Sequence, residues 1–250
     1  MEDIDAIAAL QDPVRRRLYE YVAAQGREVG RNEAAEAAGV ARTLAAHHLD
    51  RLTEAGLLES GSRRLTGRSG PGAGRPAKVY TRARGERSVS LPARDYRTAA
   101  ELLAEAAEQA GLDAGLRAAA RRRGEALRGP AAPCGALEEA MEVLAARGYE
   151  PHLEAAAAAE VAGAAGAAED SGTAGTAGTA EGAAGADVRV VRMRNCPFHA
   201  VAESFPPLVC GMNLALLEGL LGTDGPLRAR VDARPGECCV VVEASKNNVD

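Results

Sequence analysis

Residues 31–58 read RNEAAEAAGVARTLAAHHLDRLTEAGLL and contain two short segments of helical character on either side of Gly39. In the second segment Ala45, Leu49 and Leu52 recur at spacings of four and three, which places them on one helical face. Gly39 favours a chain reversal, because glycine adopts the left-handed backbone conformation without a steric penalty. The stretch therefore predicts two helices joined by a tight turn.

A further helix is expected before this pair. Val14 and Leu18 lie about one helical turn apart, Pro13 suits the first turn, and Gly26 ends the segment. Asn32 is the expected N-cap of the next helix, since its side chain can accept a hydrogen bond from a backbone N–H group. The sequence up to residue 56 thus predicts three successive helices.

An extended hairpin is expected after these helices. Leu57 and Leu58 begin an extended stretch, and residues 78–81, KVYT, have the composition of a return strand. The intervening loop, residues 60–77, is rich in glycine, arginine and proline. Helices in this order, followed by a hairpin with a basic tip, are the layout of a winged helix-turn-helix, which binds duplex DNA.

The predicted DNA contacts lie on the outward face of the second helix of the pair and in the hairpin. The helical side chains would enter a major groove, and the hairpin cations would meet phosphates or a minor groove. These contacts are Arg42, Thr43, Ala46 and His47 in the helix, and Arg63, Arg64, Arg68, Arg75 and Lys78 in the hairpin. The alternative is a small helical domain with a solvated basic loop.

Charge is divided unevenly along the chain, although the whole carries a formal net charge of −5. Residues 1–97 hold 17 basic and 13 acidic side chains, whereas residues 98–250 hold 13 basic and 22 acidic side chains. Ten of the basic side chains lie between residues 60 and 97, where the hairpin is expected. The average therefore combines a basic N-terminal part, suited to nucleic acid, with an acidic C-terminal part.

Composition excludes several protein classes. No apolar run approaches the roughly 18 residues of a membrane span. The start of the chain carries Glu2, Asp3 and Asp5, so it lacks the basic region of a signal peptide. We therefore expect a cytoplasmic protein. In that compartment the five cysteines indicate a metal, redox or core function rather than a disulfide framework.

The expected fold class is mainly α with α+β, in three parts. Residues 1–92 are assigned to a winged helix-turn-helix DNA-binding domain, and residues 93–130 to a helical connector and dimerisation segment. Residues 131–250 are assigned to a small C-terminal α+β sensor domain. An apolar stripe that includes Tyr96 and Leu103 predicts either a dimer helix or packing within the chain.

A segment of low complexity interrupts the C-terminal part. Residues 156–186 hold 22 Ala or Gly among 31 positions, so little apolar surface can be buried and a disordered insertion is predicted. The insertion separates two strand candidates, residues 149–153 and 188–193. Pro206 starts a long helix, and a last strand is expected over residues 238–243.

Cysteines from three separate segments are candidate ligands of one metal site. Cys196, Cys210 and Cys238 are spaced C-x13-C-x27-C, which matches no local metal motif. Cys196 precedes a helix start expected at Pro197, where the helix dipole favours a thiolate. His199 lies three residues further on and could share a helical face with Cys196 and bind the same ion.

The doubled cysteine Cys238-Cys239 leaves the third ligand open. Adjacent residues of a regular strand point to opposite faces, so only one of the two could face a common site. Cys238 is favoured because it is nearer the turn at residues 235–236. The alternative for every cysteine is a buried core thiol, which is the interpretation adopted for Cys134. Soft thiolates suit an iron–sulfur cluster or zinc.

Three sequence blocks resemble a family of bacterial winged-helix regulators in the broad ArsR-like class. They are GRPAKVY at residues 74–80, NCPFHAVAESFPPLVC at residues 195–210, and GMNLALLEGLL at residues 211–221, followed by a late cysteine. The chain looks most like the iron–sulfur-cluster repressors of cluster-assembly operons, the SufR-like proteins. The resemblance spans nearly the whole chain apart from the insertion.

The resemblance implies a cofactor and a mode of DNA binding. In those repressors three cysteines of the C-terminal domain bind a 4Fe–4S cluster, and dimers bind palindromic operators. By this likeness Cys196 is the first ligand, Cys210 the second, and Cys238 or Cys239 the third. A homodimer, a double-stranded DNA operator and a 4Fe–4S cluster are therefore expected, with zinc as the alternative to the cluster.

The resulting hypothesis is a DNA-binding transcriptional regulator, expected to be a repressor, whose C-terminal domain senses iron–sulfur or redox state. The alternative is a winged-helix regulator whose apolar helix, residues 208–221, lines a pocket for a small organic effector. A third hypothesis is a thiol enzyme that uses Cys196 with His199 as base. No oxyanion motif, acidic orienter or nucleotide loop supports it, so no enzymatic activity is expected.

Overall fold

The computed structural model describes residues 2–63, 76–156 and 188–245. Its contacts divide the chain into two compact units, Met1–Arg94 and Asp95–Asp250. Helices and two small antiparallel sheets form these units, which confirms the α with α+β fold class expected from the sequence. Within the described ranges, no helix combines the length and the apolar character needed to cross a membrane.

The first unit combines helices with a three-stranded antiparallel sheet. Its described elements are α1 (Glu2–Ala9), α2 (Pro13–Gln25), β1 (Val29–Gly30), α3 (Arg31–Ala38), α4 (Arg42–Glu54), β2 (Leu58–Arg63) and β3 (Ala77–Arg82). The strand order is β1–β3–β2, with Val29 opposite Tyr80 and Glu59 opposite Thr81. The three predicted helices and the hairpin are therefore confirmed, and α1 and β1 add to them.

Helix α2 begins and ends where the sequence predicts. The carboxylate of Asp12 accepts hydrogen bonds from the backbone N–H groups of Val14 and Arg15, both at 2.9 Å, and caps the helix. Pro13 occupies the first turn, and Gly26 ends the helix in the left-handed conformation at φ 61°. Local capping chemistry thus fixes both ends of α2.

The predicted N-cap of α3 is wrong. Asn32 lies inside the helix, which begins at Arg31 with Gly30 as its N-cap. The reason is the pairing of β1 with β3, in which Gly30 lies opposite Val79. The chain leaves this sheet at Gly30 and turns directly into α3, so no further residue is available as a cap.

The core of the first unit holds α4 against α2 and the sheet. The apolar stripe predicted for α4 is buried, and its members contact side chains of α2 and β3. The fully buried residues of this core include Leu18, Val22, Ala45, Leu49, Leu52 and Tyr80. Burial of one face of α4 leaves its opposite face available to a partner.

The second unit packs five helices and a four-stranded antiparallel sheet among its described residues. Its elements are α5 (Tyr96–Gln109), α6 (Asp113–Arg128), α7 (Leu137–Ala145), β4 (Pro151–Ala156), β5 (Val188–Met193), α8 (His199–Ala202), α9 (Pro206–Leu221), β6 (Leu227–Val231) and β7 (Val240–Ala244). The strand order is β4–β5–β7–β6, with Leu153 opposite Val191 and Val191 opposite Val242. The segment assigned to a connector, residues 93–130, supplies α5 and α6 to this unit.

Helices α6 and α9 cross with their backbones in close contact. A Cβ atom added at Gly124 would lie 2.1 Å from the carbonyl oxygen of Leu216. A Cβ atom added at Gly219 would lie 2.2 Å from the carbonyl oxygen of Arg121. Only glycine fits at either position, because neither contact involves a side chain that could move away.

One prediction for the second unit differs from the structure, and another falls outside the residues that the structure describes. The last strand begins at Val240 rather than at Cys238, so both Cys238 and Cys239 precede it. The backbone N–H of Cys238 instead donates to the carbonyl oxygen of Met193 at 2.8 Å, which ties this segment to the end of β5. The disordered insertion predicted for residues 156–186 lies outside the described residues beyond Ala156.

Candidate functional site

The outward face of α4 carries the predicted helical DNA contacts. Arg42, Thr43 and His47 are exposed, and Ala46 is half-buried. Ala41, the N-cap, provides no side-chain hydrogen bond. The first backbone N–H groups of α4 therefore receive no side-chain cap from Ala41. They lie beside the exposed guanidinium of Arg42.

The two predicted hairpin contacts that the structure describes, Arg63 and Lys78, are paired with carboxylates of the same unit. Arg63 lies 3.2 Å from Glu28, and the Lys78 ammonium lies 2.7 Å from a carboxylate oxygen of Asp50. The other three predicted hairpin contacts, Arg64, Arg68 and Arg75, lie outside the described residues. Phosphates that approach Arg63 or Lys78 must therefore compete with an internal anion.

Asp50 connects the two helices of the helix-turn-helix with the hairpin. It pairs with Lys78 of β3 and, at 3.6 Å, with Arg31 of α3. The buried Tyr80 hydroxyl donates to Asp50 at 2.8 Å and accepts from Arg31 at 3.0 Å. Burial acts to raise the pKa of Asp50, but the hydrogen bonds from Lys78 and Tyr80 lower it overall. Sequence reasoning missed Arg31 and Tyr80, because their link to Asp50 spans distant segments.

Replacing Asp50 by asparagine should raise the affinity for duplex DNA of random sequence about threefold at low salt. The substitution removes an anion from the outward face of α4 and frees Lys78 and Arg31 for phosphates. Fluorescence anisotropy at two salt concentrations measures the effect. Glu54→Gln is the matched control, because Glu54 pairs with Arg51 on the same helix. Weaker binding by Asp50→Asn than by Glu54→Gln would contradict this role of Asp50.

A basic groove of about 1020 Å³ runs between α3, the start of α4 and the hairpin. Five cations line it, together with the carboxylates of Glu28 and Glu33. The cations are Arg27, Arg31, Arg42, Arg63 and Lys78. In the part of the chain that the structure describes, Arg42 is the member with no ion pair. Arg42 is therefore the cation most directly available to an incoming phosphate or base edge.

His48 lies on the buried side of α4, behind the predicted recognition face. Burial lowers its pKa below the ordinary value of 6.5, and its Nδ1 atom has no hydrogen-bond partner among the described residues. Its neutral form is therefore favoured in the folded state. The contribution of neutral His48 to the free energy of unfolding is therefore full above pH 6.5 and decreases as the pH falls below that value.

We expect His48 to titrate below pH 6.5 in the folded protein. A two-dimensional NMR titration of the imidazole resonances, assigned with a His48→Gln variant, measures this midpoint. The same variant should lose less stability than the wild type between pH 7 and pH 5, since it removes the group that must be protonated. A midpoint at or above 6.5 would contradict the burial of a neutral imidazole.

Four thiols meet in the second unit and are named here the thiol cluster: Cys196, Cys210, Cys238 and Cys239. Cys196 follows β5, Cys210 lies in the first half of α9, and the other two precede β7. The side chains of Cys196 and Cys239 each lie close enough to Cys238 to shift its pKa, and Cys239 also interacts with Cys210. The candidate ligands from three segments are thus brought together.

Cys238 is the preferred thiolate of the thiol cluster. Its interactions with Cys196 and Cys239 lower its pKa, with smaller contributions from the Val240 backbone and Asn213. The pKa of Cys196 is raised, first by its interaction with Cys238 and then by burial. The helix-dipole prediction for Cys196 is therefore wrong, since α8 is only four residues long and begins at His199.

Of the remaining candidate cysteines and histidine, the structure places Cys239 in the thiol cluster and His199 and Cys134 outside it. Cys239 shares the thiol cluster with Cys238, because both precede the strand and the alternation rule does not apply there. His199 is largely exposed, and its Nε2 atom lies 3.2 Å from Glu203 rather than at a thiol. Cys134 is a buried thiol whose pKa is raised by burial, which confirms the core interpretation.

Asn213 and Tyr149 are site residues that sequence reasoning missed. The Tyr149 hydroxyl donates to the Asn213 side-chain oxygen at 2.5 Å, and the Asn213 amide donates to the Cys238 sulfur at 3.4 Å. The sequence does contain a signal for Asn213, because it is an amide within an apolar stretch of α9, and a buried amide needs hydrogen-bond partners. Its partner Tyr149 lies 64 residues away, so the sequence could not identify the pair.

No group of three or more His, Cys, Asp or Glu side chains within the described ranges forms a ready-made ion site. The thiols interact in pairs instead: Cys196 with Cys238, Cys238 with Cys239, and Cys239 with Cys210. The four thiols are nonetheless soft, partly buried donors, which suit metals that prefer sulfur ligands.

The apolar side chains of α9 are packed in the core, including Leu208, Leu217 and Leu220.

Comparison with known proteins gives one result, for the first unit. Residues 10–61 match the family model described as a helix-turn-helix domain. The chain carries a helix-turn-helix domain. This match covers α2, β1, α3 and α4, which are the elements that present Arg42, Thr43 and His47, and it supports a DNA-binding regulator. Neither the curated proteins nor the solved structures give a match to the chain.

Proposed function

We propose that the chain is a cytoplasmic transcriptional repressor that binds a DNA operator as a homodimer and senses iron–sulfur or redox state. One observation carries the sensor function: thiols from three distant segments contact one another around Cys238. This arrangement, with the sequence blocks that resemble SufR-like repressors, favours a regulator of that kind. The packing of the α9 side chains in the core favours it over an organic-effector pocket.

A 4Fe–4S cluster is the cofactor we propose for the thiol cluster, and zinc is the alternative. Cys196, Cys210 and Cys238 would hold it, with Cys239 beside them. Four thiols suit an iron–sulfur cluster, since its irons are bound by thiolates. A bound cluster would supply reversible electron transfer and sensitivity to oxidants. The thiols must release protons to become ligands, so Cys238 is the member best prepared for this function.

The homodimer is proposed from the character of α5. None of its residues is buried, and Tyr96 and Leu103 are 73% and 72% exposed. Apolar side chains exposed on one helical face indicate an interaction surface. Helix-turn-helix proteins commonly bind two half-sites as symmetric dimers, so a second copy of the chain is the proposed partner of this face.

Anaerobic purification followed by absorbance, iron and sulfide analysis tests the proposed sensor. We expect a brown protein with iron and labile sulfide in equal amounts, and their loss in Cys196→Ser. Cys134→Ser is the matched control and should retain both, because Cys134 lies outside the thiol cluster. Bound zinc without labile sulfide would show that the cofactor is zinc and not an iron–sulfur cluster. A colourless wild-type protein without metal would contradict the sensor function.

A further inference from the structure

Asn213 is a fully buried amide on α9, and it is 0% exposed. A buried polar group is tolerated when its hydrogen-bonding atoms find partners. The Asn213 oxygen accepts from the Tyr149 hydroxyl, and its nitrogen donates to the sulfur of Cys238. Tyr149 and Cys238 are themselves 3% and 2% exposed. A water-excluded series of hydrogen bonds therefore ends on one sulfur of the thiol cluster.

The three partners are anchored by different parts of the fold. Asn213 lies three residues after Cys210 on α9, so both project from one side of that helix. Tyr149 follows Gly148, whose carbonyl oxygen accepts a hydrogen bond of 2.6 Å from the side chain of Asn195. The backbone of Cys238 is tied to Met193 of β5. The amide is thus aimed at Cys238 by rigid surroundings.

We propose that Asn213 is a positioning residue of the thiol cluster, held by Tyr149, that selects Cys238 as the third ligand. This inference rests on the proposed sensor function and resolves the choice between Cys238 and Cys239. Cys239 is half-buried and interacts with other thiols, whereas Cys238 also accepts the hydrogen bond of the Asn213 amide. The same amide stabilises negative charge on the bound sulfur, so it raises the reduction potential of a cluster held there.

The first arm of the test compares two substitutions at adjacent positions of the full-length chain. A cluster is assembled anaerobically from ferrous iron and sulfide on wild type, Cys238→Ser and Cys239→Ser. We expect Cys238→Ser to lose the iron and sulfide and Cys239→Ser to retain them. The reverse result, or loss in both variants, would overturn the selection of Cys238.

The second arm measures the midpoint potential in Asn213→Leu and Tyr149→Phe by spectroelectrochemistry. At the wild-type midpoint, Asn213→Leu should lower the ratio of reduced to oxidised cluster about tenfold, which is about 59 mV for one electron. Tyr149→Phe should lower the ratio about threefold, because the amide is retained but no longer held. Gln109→Leu, which removes an amide whose hydrogen bond goes to Glu105 on α5, should leave the ratio unchanged.

Folding and function are separated by further readouts. Protection of the buried Cys134 from alkylation shows that each variant is folded, and Tyr149→Phe provides the result if Asn213→Leu fails to fold. An unchanged midpoint in folded variants overturns the positioning function and leaves the sensor in place. A wild-type chain that takes up neither iron nor sulfide overturns the proposed function, and this inference with it.

Discussion

Replacing Gly219 by alanine is expected to destabilise the second unit by about 3 kcal/mol or more. The added Cβ would lie 2.2 Å from the carbonyl oxygen of Arg121 and 3.0 Å from the backbone nitrogen of Glu125. Both atoms belong to the backbone of α6, so relief requires the two helices to separate. Because α9 carries Cys210 and Asn213, separation would also disrupt the thiol cluster.

Gly115→Ala is the matched control for this substitution. Gly115 lies in α6, and a Cβ there meets no atom within 4 Å, so alanine should be neutral or stabilising by about 0.5–1 kcal/mol. Urea denaturation followed by circular dichroism gives the stabilities, and hydrogen exchange of peptides from α6 and α9 locates the change. Equal stabilities of the two variants would contradict the close helix crossing.

Replacing Arg42 by glutamate should reduce the affinity for a selected DNA duplex about a hundredfold. Arg42 begins α4, is exposed, and lines the basic groove next to the hairpin. No ion pair within the described part of the chain neutralises it, whereas Arg63 and Lys78 are both paired. Charge reversal at Arg42 therefore removes an available cation and adds an anion at the DNA face.

Arg51→Glu is the matched control for Arg42→Glu. Arg51 lies nine residues later on the same helix, which places it on the face of α4 opposite to Arg42. The two variants have the same net charge, so a general electrostatic effect would be equal in both. Anisotropy titrations over a range of salt should show a weaker salt dependence for Arg42→Glu alone. Equal losses of affinity would contradict the placement of Arg42 at the DNA.

The helical part of the first unit could be predicted from local chemistry. The period of Ala45, Leu49 and Leu52 identifies the buried face of α4, and these residues are fully buried in the structure. Gly26 and Gly39 end their helices in the left-handed conformation, as glycine at these points predicts. Periodicity and capping depend on neighbouring residues, so a single sequence contains them.

The candidate sites could be predicted only in part, because they depend on contacts between distant segments. The cysteines could be identified from thiol chemistry and from the resemblance to SufR-like repressors, but not that Asn213 and Tyr149 complete the arrangement around Cys238. The hairpin cations were visible as charges, yet the neutralisation of Lys78 by Asp50 required the fold. Helical spacing makes His199 a possible ligand of the metal site, but the structure places it outside the thiol cluster.

We propose that the state of the thiol cluster controls DNA binding, and this claim is tested by one affinity measurement. A duplex is selected with the anaerobic protein, and its dissociation constant is measured before and after mild oxidation that removes the cluster. We predict a change of at least about tenfold, or roughly 1.4 kcal/mol of coupling, in the wild type and none in Cys196→Ser. An unchanged affinity of the wild type, with the protein still folded, would contradict the claim.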